Sequence, residues 1–336
     1  MVTEGLALEI LGVPHKHVFI SEMNPHVRHL IYSLYGKKMQ AYKDCGNWDV
    51  NTVPRVHVYV FGFPCQSFSP AGKGRGLDDP RGAVLNHCLD YVKRKRPLLV
   101  IAENSARLAS CKFADVRNMM VNQLEQCGYD VHFDILNTKE QGLPQSRPRF
   151  YLVALLSCKA TKSKSFNFPL PIDPVPLVRL LEAPGATPAM THEGKARDRI
   201  LGHVKVARQK LEAKGILPEA CDAVIDVGAS PAWGHVMTDC SPCLTAQRCM
   251  RVGGHYLLRF NRTMTEKEVC RLQGIPDSRV DYVRAGVSKA KFLQAVGNAM
   301  SSNVLARVLA RALPAAGLAE GLTSPNADAI FKYLVK

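Results

Sequence analysis

Val56-His57-Val58-Tyr59-Val60-Phe61-Gly62-Phe63-Pro64-Cys65-Gln66-Ser67-Phe68-Ser69 is the stretch from which the fold can be read. Its first six residues form an apolar, β-branched run, and Gly62 and Pro64 stop it in a tight turn that carries Cys65. Similar short runs, bounded by breakers, stand at Val18–Ile20, Leu98–Ala102 and Tyr151–Leu155. Helical periods lie between them, over Pro25–Tyr35 and over Asp115–Cys127, the latter stopped by Gly128. Strand, helix, strand in repetition predicts a doubly wound α/β domain whose strands are parallel and buried on both faces. Ligands of such sheets bind beyond the carboxyl ends of the strands.

Those strand ends carry chemistry. Cys65 follows one of them, Glu103-Asn104 closes the next, and Ser21-Glu22 follows the first. A lone cysteine is more often a small buried hydrophobe than a nucleophile. A thiol and two carboxylates at successive strand ends are hard to ascribe to packing. Glu22 stands where such folds hold a ribose hydroxyl, although it also fits a helix start at Asn24-Pro25.

The chain of 336 residues allows about two domains, and 46% hydrophobic against 22% charged residues excludes wholesale disorder. No apolar run approaches the roughly 18–20 residues that span a bilayer, and the first residues lack a basic leader and an uninterrupted apolar core. The 11 cysteines are scattered, which suits reduced thiols in an intracellular protein. Cys240-Ser241-Pro242-Cys243 lacks a second ligand pair at zinc spacing, so no metal is expected. A net charge of +15, spread along the chain, suits a polyanionic partner. The run Lys93-Arg94-Lys95-Arg96 before Pro97 reads as a solvated helix end. Prolines 169, 171, 174 and 176 make a stiff connector. The residues after it are irregular to about 284, and a long helical pattern returns over Lys289–Leu313. The divisions are 1–165, 166–284 and 285–336, the last a helix that returns to the first domain.

Five motifs together make the chain resemble the C5-cytosine DNA methyltransferases, from the first residues to about 310. Pro64-Cys65-Gln66-Ser67-Phe68-Ser69 is similar to the family's nucleophile motif, and Glu103-Asn104 to its Glu-Asn-Val motif, with Ser105 in place of Val. Gln145-Ser146-Arg147-Pro148-Arg149 matches the Gln-x-Arg-x-Arg motif. Arg271-Leu272-Gln273-Gly274-Ile275-Pro276-Asp277 matches the motif that closes the target-recognition region, and Gln294–Met300 the final one.

The resemblance implies a Rossmann-like methyltransferase sheet with a smaller target-recognition domain, S-adenosylmethionine as cofactor and DNA as partner of a monomer. It implies Cys65, Glu103 and Arg147 as catalytic residues. Glu22, Met23, Asp49, Val50, Pro64 and Asn298 would bind the cofactor, with Asp49 equally at home in a turn and Asn298 at the start of the final helix. Gln66, Ser67, Asn104, Arg149, Thr245 and Arg248 would face the substrate, while Arg248, Arg251 and Arg259 also suit plain phosphate contacts. Glu103 would serve cytosine N3 and needs a raised pKa in the loaded site. DNA as substrate implies the nucleus of a eukaryote or the cytoplasm of a prokaryote.

The family opens with a strand and a glycine-rich turn, whereas residues 2–10 are similar to the tail of that turn and its helix. The chain is then expected to be part of a longer reading frame, or an impaired relative that binds without methylating, and to hold the cofactor weakly by itself. Methylation of tRNA is the third reading, disfavoured by Gln66-Ser67-Phe68-Ser69 after the cysteine.

Overall fold

The computed structural model describes residues 3–36, 39–64, 83–157, 165–183, 194–228, 235–250 and 254–336. The first domain contains α1 (Thr3–Ile10), β1 (Phe19–Ser21), α2 (Pro25–Tyr35) and β2 (Gln40–Tyr42). It continues with β3 (Val58–Gly62), α3 (Ala83–Lys95), β4 (Leu99–Ser105), α4 (Ala114–Gln126), β5 (Tyr129–Asn137) and β6 (Pro148–Leu156). β3, β4, β6 and β5 form one sheet in that order, and β1 pairs in parallel with β2 as a separate piece. The sheet is mixed. β3 runs parallel to β4, but β6 is antiparallel to both β4 and β5, which corrects the expected parallel role of Tyr151–Leu155. A run buried on both faces reads the same in either direction, so composition alone does not fix its sense.

The period of two along β4 and β6 divides the core. Leu99, Ile101, Tyr151, Val153 and Leu155 pack against a helix of the C-terminal segment, α9 (Ser302–Ala315), on one face. Val100, Ala102, Phe150, Leu152 and Ala154 pack with side chains of α3 and α4 on the other. Each fully buried aliphatic side chain is worth roughly 1.5–3 kcal/mol, so these two layers dominate the stability of the domain. Between the two sheet pieces the bond is aromatic. Phe19 of β1 stacks on Tyr59 of β3, with ring centroids 6.2 Å apart, and meets Tyr42, Trp48 and Tyr91.

α2 begins as its sequence predicts, with Asn24 accepting from the His26 amide and Pro25 in the first turn. α3 stops before Pro97, and the basic run that ends it serves main-chain carbonyls: Lys95 donates to Asn51 and Arg96 to Cys127. Gly128, at φ +80°, follows α4.

The second region is far more regular than its sequence suggests. It holds the 19-residue α5 (Gly194–Glu212), β7 (Ala223–Asp226), β8 (Val236–Thr238), α6 (Ala246–Met250), β9 (His255–Leu257), β10 (Arg262–Thr263) and α7 (Glu266–Leu272). The strands form an antiparallel sheet, ordered β10-β9-β7-β8, on which α5 buries Ile200, Ala207 and Leu211. Strands of two to four residues are too short to display alternation, and the lysines and arginines of α5 dilute its apolar stripe. The proline connector reaches back to the first domain, since Phe166 packs against β6 and Ile172 bridges to Gln141.

The expected single helix over Lys289–Leu313 is two. α8 (Lys289–Asn298) ends at Ala299, α9 starts at Ser302, and α10 (Ala327–Leu334) follows. Asn298 therefore ends a helix and does not start one. No described helix is long and apolar enough to cross a membrane.

Candidate active site

β3 delivers Gly62, Phe63 and Pro64 to the carboxyl edge of the sheet, and β4 delivers Glu103 and Asn104 beside them, with Gly62 in register with Glu103. Cys65, Gln66 and Ser67 lie outside the described residues. Asn104 is buried and its amide donates to the Phe63 carbonyl at 3.1 Å, so it fixes the segment that leads into Cys65. Its side-chain oxygen accepts from the Ser105 amide. The side chain is committed to the chain itself, where the resemblance had it facing substrate.

Glu103 is mostly buried. Burial pushes its carboxyl above the usual carboxylate range, and Arg149 and then Arg147 pull it partly back. Arg149 Nε stands 3.2 Å from Glu103 Oε1, and that guanidinium remains partly open. Arg147, expected to hold the base, is 2% exposed and spends its donors elsewhere. It donates to the carbonyls of Leu244, Gly297 and Ala299. The geometry thus separates the two arginines: Arg147 ties the site to two distant segments, and Arg149 faces the carboxyl.

A second tie runs through two glutamines that the sequence reading passed over. Buried Gln145 donates to the Leu272 carbonyl and to Gln273 Oε1, and accepts from the Leu244 amide. Gln273 in turn donates to the Ala299 carbonyl. The motifs around 147, 273 and 297, with residues 244–245, are therefore four segments of one hydrogen-bonded knot. Both glutamines lie inside quoted motifs, but nothing in a one-dimensional reading says that they meet. Arg271 and Asp277 close the fourth motif on itself with a bidentate pair.

The remaining expected residues are dispersed. Glu22, after β1, accepts from the Asn24 amide at 2.8 Å, and Met23 beside it is 68% exposed. Asp49 accepts from the Asn51 amide, which is the turn role. Val50 is buried in the aromatic side of the core. Asn298 is exposed at the end of α8. Thr245 precedes α6 and accepts from the Arg248 amide. Arg248 is anchored by Asp226, fully buried, which holds its guanidinium at 2.8 Å. Arg259 pairs with Asp222 in the open, and Arg251 lies outside the described residues. Among the described residues no group of three or more histidine, cysteine or acidic side chains could hold a metal ion.

The sequence matches C-5 cytosine-specific DNA methylase over residues 4–313. It is 29% identical over 294 residues to the Type II methyltransferase M.NgoBI of Neisseria gonorrhoeae, covering 86% of this chain and 83% of that protein. M.HaeII of Haemophilus aegyptius, also a Type II methyltransferase, is 27% identical over 305 residues, or 90% of this chain and 87% of its own. The fold resembles the crystal structure of S. pombe Dnmt2 methyltransferase, with a TM-score of 0.62, 17% identity and coverage of 93% and 95%. With the family model matched over residues 4–313, this chain belongs to the C-5 cytosine-specific DNA methylases.

Proposed function

We propose that the chain transfers a methyl group from S-adenosylmethionine to C5 of cytosine in DNA, with Cys65 as nucleophile. The observation that carries this reading is the pairing of Glu103 with Arg149 at the strand edge where Phe63 and Pro64 lead into Cys65. Cytosine C5 is a poor nucleophile until a thiolate adds to C6. Cys65 supplies that thiolate. Charge then builds on the ring, and Glu103, whose raised pKa keeps a proton within reach, donates to N3. Arg149 stands against the carboxyl and steadies the base. Loss of the C5 proton after transfer reopens the Cys65–C6 bond. The target atom is inaccessible within a duplex, so the cytosine must be flipped into the site.

The strand edge fits the cofactor. Exposed Met23 offers an apolar face next to the Glu22 carboxylate, the pair of surfaces that an adenosine requires. Pro64 and Asn298 would approach its other end. When bound, the sulfonium supplies the methyl group. Asp49, engaged in its turn, contributes backbone shape.

Transfer of a labelled methyl group tests the reading. Incorporation into cytosine-containing duplex DNA is expected, with at least a roughly 100-fold loss in Glu103→Gln. Incorporation into tRNA in preference to DNA would contradict it.

A further inference from the structure

A second sulfur lies among the charges of this site. Cys243 Sγ is 3.7 Å from Arg147 Nη1 and 3.6 Å from Arg149 Nη2. Arg149 also reaches Glu103, so the sulfur and the carboxylate share one guanidinium. The charge balance of the cluster poses a problem. Two guanidiniums stand side by side, and burial, helped by their mutual repulsion, pushes Arg147 down. Among the described residues, Glu103 is the carboxylate that faces them. Once it takes a proton for cytosine N3, Arg149 loses that partner, and a buried charge without a partner is costly.

We propose that Cys243 is a positioning residue of this site: as a thiolate it holds Arg147 and Arg149 together and keeps Arg149 paired while Glu103 carries a proton. The inference rests on the assignment of Glu103 to N3 and deepens it.

Three further observations agree. Burial raises the Cys243 thiol, but Arg147 and Arg149 more than offset this and bring it below the ordinary thiol range. The Leu244 carbonyl, 3.8 Å from the same sulfur, already receives Arg147 Nη1, so loss of the thiol proton leaves no acceptor stranded. Among the described residues, Tyr151 and Cys249 beside the cluster are held protonated by burial. Burial raises the Tyr151 hydroxyl far above its ordinary value and Cys249 to about 12. Cys243 is therefore the group placed to supply the second negative charge.

Two titrations on the full chain test the proposal, neither of which depends on catalysis. The ultraviolet thiolate band, as wild type minus Cys243→Ser, should reveal one thiol that ionises below the ordinary thiol range. The Glu103 carboxyl, followed by carbon NMR, should titrate about one unit lower in Cys243→Ser, because Arg149 then turns to it alone, and Cys243→Asp should restore the wild-type value. A Cys243 that ionises at or above about 8.5, or a Glu103 titration indifferent to both variants, overturns the proposal. Should the variants fail to fold, the pH dependence of Cys243 alkylation by iodoacetamide in the wild-type chain reads the same ionisation. A wild-type chain that transfers no methyl group would refute the assigned reaction and leave these titrations decisive on Cys243.

Discussion

Arg147 and Arg149 stand two residues apart on one strand edge and do different work. Arg147 satisfies three main-chain carbonyls from two distant segments, while Arg149 pairs with Glu103 and keeps a partly open face. Removing Arg147 strips a charged donor from three buried carbonyls and leaves that of Gly297 without this partner, each loss worth about 1–3 kcal/mol. Arg147→Ala is expected to lower the urea unfolding free energy by at least about 3 kcal/mol, and Arg149→Ala by less than about 1 kcal/mol while abolishing methyl transfer. Equal destabilisation by the two variants would contradict the division of labour. The sequence named both arginines but did not show which of them is drawn into the main-chain contacts. Alternation along a strand sends residues 147 and 149 to the same side, and only the packing of residues 244 and 297–299 decides which one is swallowed.

At the scale of elements, the site depends on how closely α8 approaches the start of α6. A methyl group on Gly297 would lie 2.5 Å from the Thr245 carbonyl carbon and 2.6 Å from the Ala246 amide nitrogen, both of them backbone. Gly297→Ala is expected to cost about 3 kcal/mol in urea unfolding and to loosen the Arg147 knot; an unchanged midpoint would show that the approach is not needed. The small second sheet carries its own pH sensitivity. His255, wholly buried, is pushed down to about 4 by burial, against its ordinary 6.5. Its folded pKa is depressed, so between those values the unfolded chain binds more protons. Its contribution to stability is complete above about pH 6.5 and falls away as the pH drops towards about 4, by up to roughly 3 kcal/mol. Acid unfolding followed by circular dichroism should show this slope, and His255→Phe should flatten it. A variant with the wild-type slope would place the sensitivity elsewhere. Elements with long periods were legible beforehand: α2 and α4 lie within one residue of their expected spans, and β3 and β4 within two or three. Residues 194–263 were not, because two- to four-residue strands leave no periodic trace, and β5, with Asp130, His132 and Asp134 along it, reads as polar.

At the scale of the molecule, three sheets and three C-terminal helices among the described residues bring motifs from across more than two hundred residues together. The existence of the site was legible, because each motif sits at a strand end or turn that the sequence marks with Gly, Pro or a change of period. Its wiring was not, since Gln145, Gln273 and Cys243 meet only through tertiary packing. Phe19 and its ring neighbours join the β1–β2 pair to β3 by side chains, so the edge that carries Glu22 and Met23 is set by aromatic contacts as much as by the sheet. The net charge of +15 suits DNA arriving at the Glu103 edge. The central claim is that Cys65 attacks a flipped cytosine there. Covalent trapping on a duplex containing 5-fluorocytosine reads this most directly, because fluorine at C5 blocks the release of the cysteine. The account predicts a denaturant-stable protein–DNA adduct that requires S-adenosylmethionine and is absent from Cys65→Ala; intact DNA binding without any such adduct would contradict it.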